Sequence, residues 1–90
     1  MTKFPLGRLV ATPGALEALN ESMESLWPYI TRHSNGDWGD VSQEDKAENE
    51  LSIKEGFRLL SAYVLKNGQR IWIITEADRS ATTILTPEDY

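Results

Sequence analysis

The chain contains no cysteine. That excludes a disulfide framework, a thiolate nucleophile and a cysteine-ligated zinc site. A single histidine leaves little from which to build an imidazole metal centre. No apolar run approaches the ~20 residues that a membrane-spanning helix needs. The opening Met1-Thr2-Lys3-Phe4-Pro5 lacks the apolar stretch of a secretory signal, so cytoplasmic residence is the expectation. There is no glycine-rich phosphate loop and no Gly-x-Ser-x-Gly elbow, and no cofactor is implied. Basic charge is also scarce, with 9 Lys and Arg against 14 Asp and Glu. Nonspecific nucleic-acid binding rests on cations neutralising phosphates, so direct contact with nucleic acid is disfavoured.

What is present is enough for one folded unit. Ninety residues with a 40% apolar fraction make a single domain, residues 1–90, with a single core. The net charge of −5 is concentrated. Residues 37–55 carry Asp37, Asp40, Glu44, Asp45, Glu48, Glu50 and Glu55 against Lys46 and Lys54, and the remainder balances. A neutral body therefore bears one acidic segment. Such a segment is either a solvated helix face or a patch for a basic partner.

Alternation over Leu6–Ala11 predicts a short strand. Thr12 and Pro13 suit the N-cap and first position of a helix, which would bury Leu16, Leu19 and Met23. Ser25 before Leu26-Trp27-Pro28 predicts a second helix, with Leu26, Ile30 and His33 along one side and an end at Asn35-Gly36. Ser42 with Asp45 resembles a capping box for a third helix, about 43–55, burying a narrow stripe of Ala47, Leu51 and Ile53. Phe57–Leu65 and Arg70–Ala77 are predicted strands around Asn67-Gly68, the preferred two-residue hairpin turn. That turn pairs Val64 with Ile71, Ala62 with Ile73 and Leu60 with Thr75 on one face. It pairs Tyr63 with Trp72, Ser61 with Ile74 and Leu59 with Glu76 on the other. A last strand, about Ala81–Thr86, stops at Pro87. The expected fold is α+β: an antiparallel sheet of three to four strands, the C-terminal meander plus the N-terminal strand, with about three helices on one face.

Between the second and third helices lies Gly36-Asp37-Trp38-Gly39-Asp40. Trp38 between glycines is either a core anchor or an exposed hot spot for a partner. His33, Asp37 and Asp40 are the candidates for a divalent-ion site, although their spacing matches no established signature. Glu76, Asp78 and Arg79 form a polar cluster at a tight turn, where a structural role is the commoner one.

Several segments taken together carry a resemblance. They are Leu6–Leu16, Arg32-His33 followed by Gly36-Asp37-Trp38-Gly39, Trp72–Ser80, and Thr82–Tyr90. In these the chain resembles a family of small bacterial proteins encoded on plasmids, phages and integrated elements, some labelled as restriction-modification subunits. Trp27-Pro28 early in the second helix departs from that pattern. The resemblance implies a mobile-element accessory protein. A methyltransferase activity is excluded, because it needs a cofactor-binding fold far larger than this chain.

Three readings follow. The first is a non-enzymatic protein-binding module that inhibits a host defence complex, of restriction or CRISPR type, or a DNA-handling complex. Its partner would be a basic, nucleic-acid-binding protein, met by Asp37, Trp38, Asp40, Glu44, Asp45, Glu48, Glu55, Tyr63 and Trp72. The second is a small metal-dependent or hydrolytic enzyme around His33, Asp37, Asp40 and Glu76. The third is a module that self-associates through an open sheet edge.

Overall fold

A computed structural model of the chain describes residues 2–90. Strand β1 (Arg8–Ala11) leads into α1 (Pro13–Glu21), α2 (Trp27–Ser34) and α3 (Gln43–Glu55). The chain closes with β2 (Leu59–Val64), β3 (Arg70–Thr75), β4 (Ala81–Leu85) and a 3-10 turn at Pro87–Asp89. The four strands form one sheet in the order β1-β4-β3-β2. β2, β3 and β4 are an antiparallel meander, whereas β1 lies parallel to β4, which makes the sheet mixed. The reason is connectivity: three helices and two strands separate β1 from β4, and so long a connection permits a parallel neighbour. The α+β architecture matches the expectation, with that difference in the direction of one strand. No helix is long and apolar enough to cross a membrane among the described residues.

The caps behave as their chemistry dictates. Thr12 Oγ1 accepts from the Ala15 N–H at 3.1 Å, and Ser42 Oγ accepts from the Asp45 N–H at 3.0 Å. The second helix differs: its N-cap is Leu26, with no side-chain cap, and Ser25, the expected cap, lies one residue earlier, its Oγ accepting from the Trp27 N–H at 3.2 Å.

The hairpin register differs from the expectation by one residue. Leu65 donates to Gln69 O at 2.7 Å and Gly68 donates back to Leu65 O at 2.9 Å, so the loop holds three residues, Lys66, Asn67 and Gly68. Only Gly68 takes a positive φ, +89°, and Asn67 uses its side chain to accept from the Gln69 N–H at 3.1 Å. A three-residue loop of this kind ends in a left-handed glycine. The slip exchanges the faces of β2. Leu59, Ser61 and Tyr63 pair with Thr75, Ile73 and Ile71 on the buried face, and Leu60 and Ala62 join Ile74 and Trp72 on the opposite one.

The main core lies between that buried face and the first two helices. Ala15, Ala18 and Leu19 of α1 and Tyr29 and Ile30 of α2 pack on Tyr63, Ile71, Ile73 and Ile84. Alanines let α1 sit close to the sheet, which turns Leu16 outward instead of inward, and Met23 lies beyond the helix end, exposed, with φ +57°. A second cluster, Phe4, Trp38 and Leu59 with Ile53 and Val41 against it, fills the space toward α3. α3 docks through Asn49, Ser52 and Ile53, and the expected inner stripe is overturned at Ala47 and Leu51, which face solvent.

Candidate functional site

The loop Gly36–Asp40 is built into the sheet. In β2, Leu65 and the odd-numbered residues bond to β3, which leaves the even-numbered N–H and C=O groups on an outer edge. Ala62 N–H donates to Trp38 O at 3.1 Å, and Asp40 N–H donates to Ala62 O at 2.6 Å, a one-residue parallel bridge. Leu60 is satisfied by a side chain. Asn49 Nδ2 donates to Leu60 O at 2.8 Å, and Asn49 Oδ1 accepts from the Leu60 N–H at 3.1 Å. Loop backbone and helix side chain together cover the Ala62 and Leu60 positions of an edge that would otherwise template another strand.

Gly39 is required for that approach. Its φ is +74°, and a Cβ there would run into the Ala62 carbonyl and the Tyr63 ring. Trp38 is the anchor of the loop. It is 4% exposed, stacks on Phe4 with centroids 6.0 Å apart, and meets His33 edge-on at 5.7 Å. Its indole Nε1 donates to Glu50 Oε2 at 2.9 Å. Asp37 lies outside, bonded to Arg32 at 2.7 and 3.3 Å, and its carbonyl accepts from Tyr63 Oη at 2.6 Å. The Arg32 hydrogen bonds hold the Asp37 carboxyl below its ordinary range. Asp40 pairs with Arg70 at 3.0 Å.

Behind the tryptophan runs a buried polar chain. Ser61 Oγ lies 2.5 Å from His33 Nδ1, and His33 Nε2 lies 2.8 Å from Thr75 Oγ1. Thr75 Oγ1 lies 2.7 Å from Thr82 Oγ1, which donates to Leu6 O at 2.7 Å. The terminal carbonyl can only accept, and that orders the protons as far as His33 Nε2. Thr82 gives its hydroxyl proton to Leu6, Thr75 gives its own to Thr82, and His33 Nε2–H donates to Thr75. In a neutral ring Nδ1 then carries a lone pair, to which Ser61 donates, and the imidazole is the Nε2–H tautomer. Burial, with no carboxylate on either ring nitrogen, pushes its pKa down to about 4.

These positions sort the candidate residues. His33, Asp37 and Asp40 do not assemble: the imidazole has both nitrogens engaged in the core, and the two carboxylates are in surface ion pairs. No group of three potential ligands is clustered among the described residues. Ser61 and His33 do touch, but both are fully buried, and a nucleophile must reach its substrate. Tyr63 and Trp72 are on opposite sheet faces, which corrects the shared aromatic face. Tyr63 is buried, with Arg32 over its ring at 4.5 Å, and desolvation pushes its pKa up to about 12. Trp72 is half-buried on the other face, edge-on to Tyr90 at 5.4 Å.

In the Glu76–Arg79 cluster, Arg79 acts as a clamp. Its guanidinium donates to the carbonyls of Phe57 at 2.7 Å, Ser52 at 2.8 Å, and Glu76 and Ala77 at 3.1 Å each. Asn49, Ser61, Thr75 and Thr82 escape a reading of the sequence, because single polar residues inside a helix or strand look solvent-facing.

Glu44, Asp45, Glu48 and Glu55 are exposed on α3. Glu44, Asp45 and Glu48 surround Ala47 and Leu51, and Leu51 is 45% exposed. No ion pair involves any of these acids among the described residues. Fold and site thus define a small α+β domain with one partly covered sheet edge, flanked by an acidic helix that displays a leucine. No family model, no curated protein and no solved structure matches the chain.

Proposed function

We propose that this domain is a non-enzymatic protein-binding module whose contact surface is the outer face of α3. The observation that supports the reading is the position of Leu51. α3 is held to the sheet by a polar fork at Asn49, while Ala47 and Leu51 sit in water among unpaired carboxylates. Glu44 and Glu48 stand one helical turn apart with no ion-paired cation beside either among the described residues. A partner with an apolar spot ringed by Lys and Arg compensates these charges and covers the exposed leucine. Surfaces of that charge are those that otherwise hold nucleic acid. The mobile-element setting implied by the resemblance makes restriction and CRISPR-type complexes the first partners to test. Trp38 and Tyr63 drop out of this surface because they are buried.

The test is surface-immobilised binding against a panel of purified defence and DNA-handling complexes, at low and high salt. The expected result is salt-sensitive binding to at least one complex, weakened about tenfold or more by Leu51→Ser and by combined Glu44→Lys, Glu48→Lys and Glu55→Lys. Binding that ignores both sets of changes, or none across the panel, defeats the proposal.

A further inference from the structure

The two edges of the sheet are treated differently. β2 is covered at Leu60 by Asn49 and at Ala62 by the backbone of Trp38 and Asp40. β1, the strand at the other end, has no hydrogen-bonded cover on its outer side among the described residues. Arg8 and Thr12 donate their N–H groups to Ser80 O at 3.0 Å and Ile84 O at 2.9 Å. The even-numbered residues of β1 therefore face β4, and the N–H and C=O groups of Leu9 and Ala11 point away from the sheet. Leu9 is 37% and Val10 40% exposed. Neither lysine nor proline lies within Arg8–Ala11, although these are the usual means of blunting an edge.

We propose that β1 pairs antiparallel with β1 of a second copy of this chain, about a two-fold axis at Val10, joining two four-stranded sheets into one of eight strands. The outward groups set the register. Leu9 lies opposite Ala11 of the second copy, each pair exchanging two N–H···O=C bonds, and symmetry supplies the other pair. Val10 then meets Val10 of the second copy in a non-hydrogen-bonded position, where side chains approach most closely.

The same register places Arg8 opposite Thr12 of the second copy. Thr12 Oγ1 donates to Asp89 Oδ2 at 2.7 Å, so a carboxylate waits beside it. Arg8 makes no ion pair with its own chain among the described residues. Each dimer gains two Arg8–Asp89 pairings across the axis. This surface lies at the opposite edge from α3 and is independent of the function proposed for that helix.

The experiment is sedimentation of the full chain over concentrations from about 5 μM to about 1 mM, with amide exchange followed at both ends of the range. The mass should move from 10.2 kDa toward twice that value. Exchange at the Leu9 and Ala11 amides should slow as concentration rises, while the Val10 amide, already in the ladder, stays unchanged. Val10→Lys sets two ammonium groups across the axis, and Leu9→Pro removes an outward donor that β4 does not use. Arg8→Glu turns attraction to Asp89 into repulsion. Each variant should remain near 10.2 kDa with an unchanged circular dichroism spectrum. A wild-type mass that stays at 10.2 kDa throughout overturns the proposal. So does a dimer that persists in Val10→Lys and Leu9→Pro, or one without concentration-dependent protection at Leu9 and Ala11. The exchange measurement needs no variant, so a misfolded substitution leaves the question answerable.

Discussion

Asn49 and Leu60 are joined as if the side chain were a length of strand. Nδ2 donates to the Leu60 carbonyl and Oδ1 accepts from its N–H, so one amide group closes one full rung of the β2 edge. Asn49→Ala leaves the part-buried Leu60 N–H and C=O with no protein partner. Each such loss costs about 1–3 kcal/mol, so about 3 kcal/mol is expected in total. In a domain of this size that lowers Tm by roughly 15 °C. Thermal unfolding followed by circular dichroism measures it, and a fall of only a degree or two would mean that the fork does not hold α3 in solution. The opened rung should also make the variant aggregate sooner than wild type at equal temperature below Tm.

His33 makes stability depend on pH within a narrow window. Its folded pKa, about 4, lies below the unfolded value, so the unfolded chain binds a proton that the native chain refuses. The stabilisation is complete above the unfolded pKa and is lost as pH falls toward the folded one. Between pH 7 and pH 4.5 this amounts to about 2.5 kcal/mol. Asp37, Glu24 and Asp89 have lowered pKa values, so their contribution is lost mainly below that window. Urea unfolding at the two pH values should show the full difference in wild type and much less in His33→Gln. Nitrogen-15 shifts should report the Nε2–H tautomer at pH 5.5. An imidazole that titrates near 6.5 in the folded protein would refute the buried chain Ser61–His33–Thr75–Thr82.

Two glycines with similar φ separate strain from collision. Gly39 at +74° would place a Cβ against the Ala62 carbonyl, whereas at Gly68, φ +89°, a Cβ meets nothing within 4 Å. Gly68→Ala should cost about 1 kcal/mol, the left-handed penalty alone. Gly39→Ala should cost about 3 kcal/mol, because the bridge must also be displaced. The same displacement should raise iodide quenching of Trp38 in a variant retaining only that tryptophan (Trp27→Phe, Trp72→Phe). With Gly39 intact, that ring should be poorly quenched. Equal costs at the two glycines would show that the loop is not pressed against β2.

The sequence makes some of this arrangement legible and conceals the rest for identifiable reasons. Thr12-Pro13 and Ser42 are local capping signals, and each cap needs only its neighbours, so both helix starts follow from a few residues. The Asn67-Gly68 hairpin is equally local, but its loop length is not. A left-handed glycine closes two-residue and three-residue loops alike, and the choice between them turns β2 over. The inner faces of α1 and α3 depend on distant partners. Ala15 and Ala18 face the sheet because the backbones approach closely there, and Asn49 faces inward because β2 ends the sheet. Neither condition is written near those residues. The acidity of α3 was plain from composition, and its exposed leucine was not.

Leu51 and Ile53, two residues apart on α3, provide the last test. Ile53 packs against Phe4, Trp38 and Leu59, while Leu51 sits in solvent beside Glu44, Asp45 and Glu48. Leu and Gln have similar helix propensity, so Leu→Gln at 51 isolates burial. Leu51→Gln should alter stability by less than about 0.5 kcal/mol, as an exposed position does. Ile53→Gln places an amide in an apolar cluster and should cost about 2 kcal/mol or more. Urea midpoints at constant m-value decide between them. If Leu51→Gln cost as much as Ile53→Gln, the leucine would be holding the fold together, and the reason for assigning it to a partner would vanish. If it cost nothing, an apolar side chain is being kept in water by a helix that does not need it for folding, and the acidic residues around it define what it is kept for.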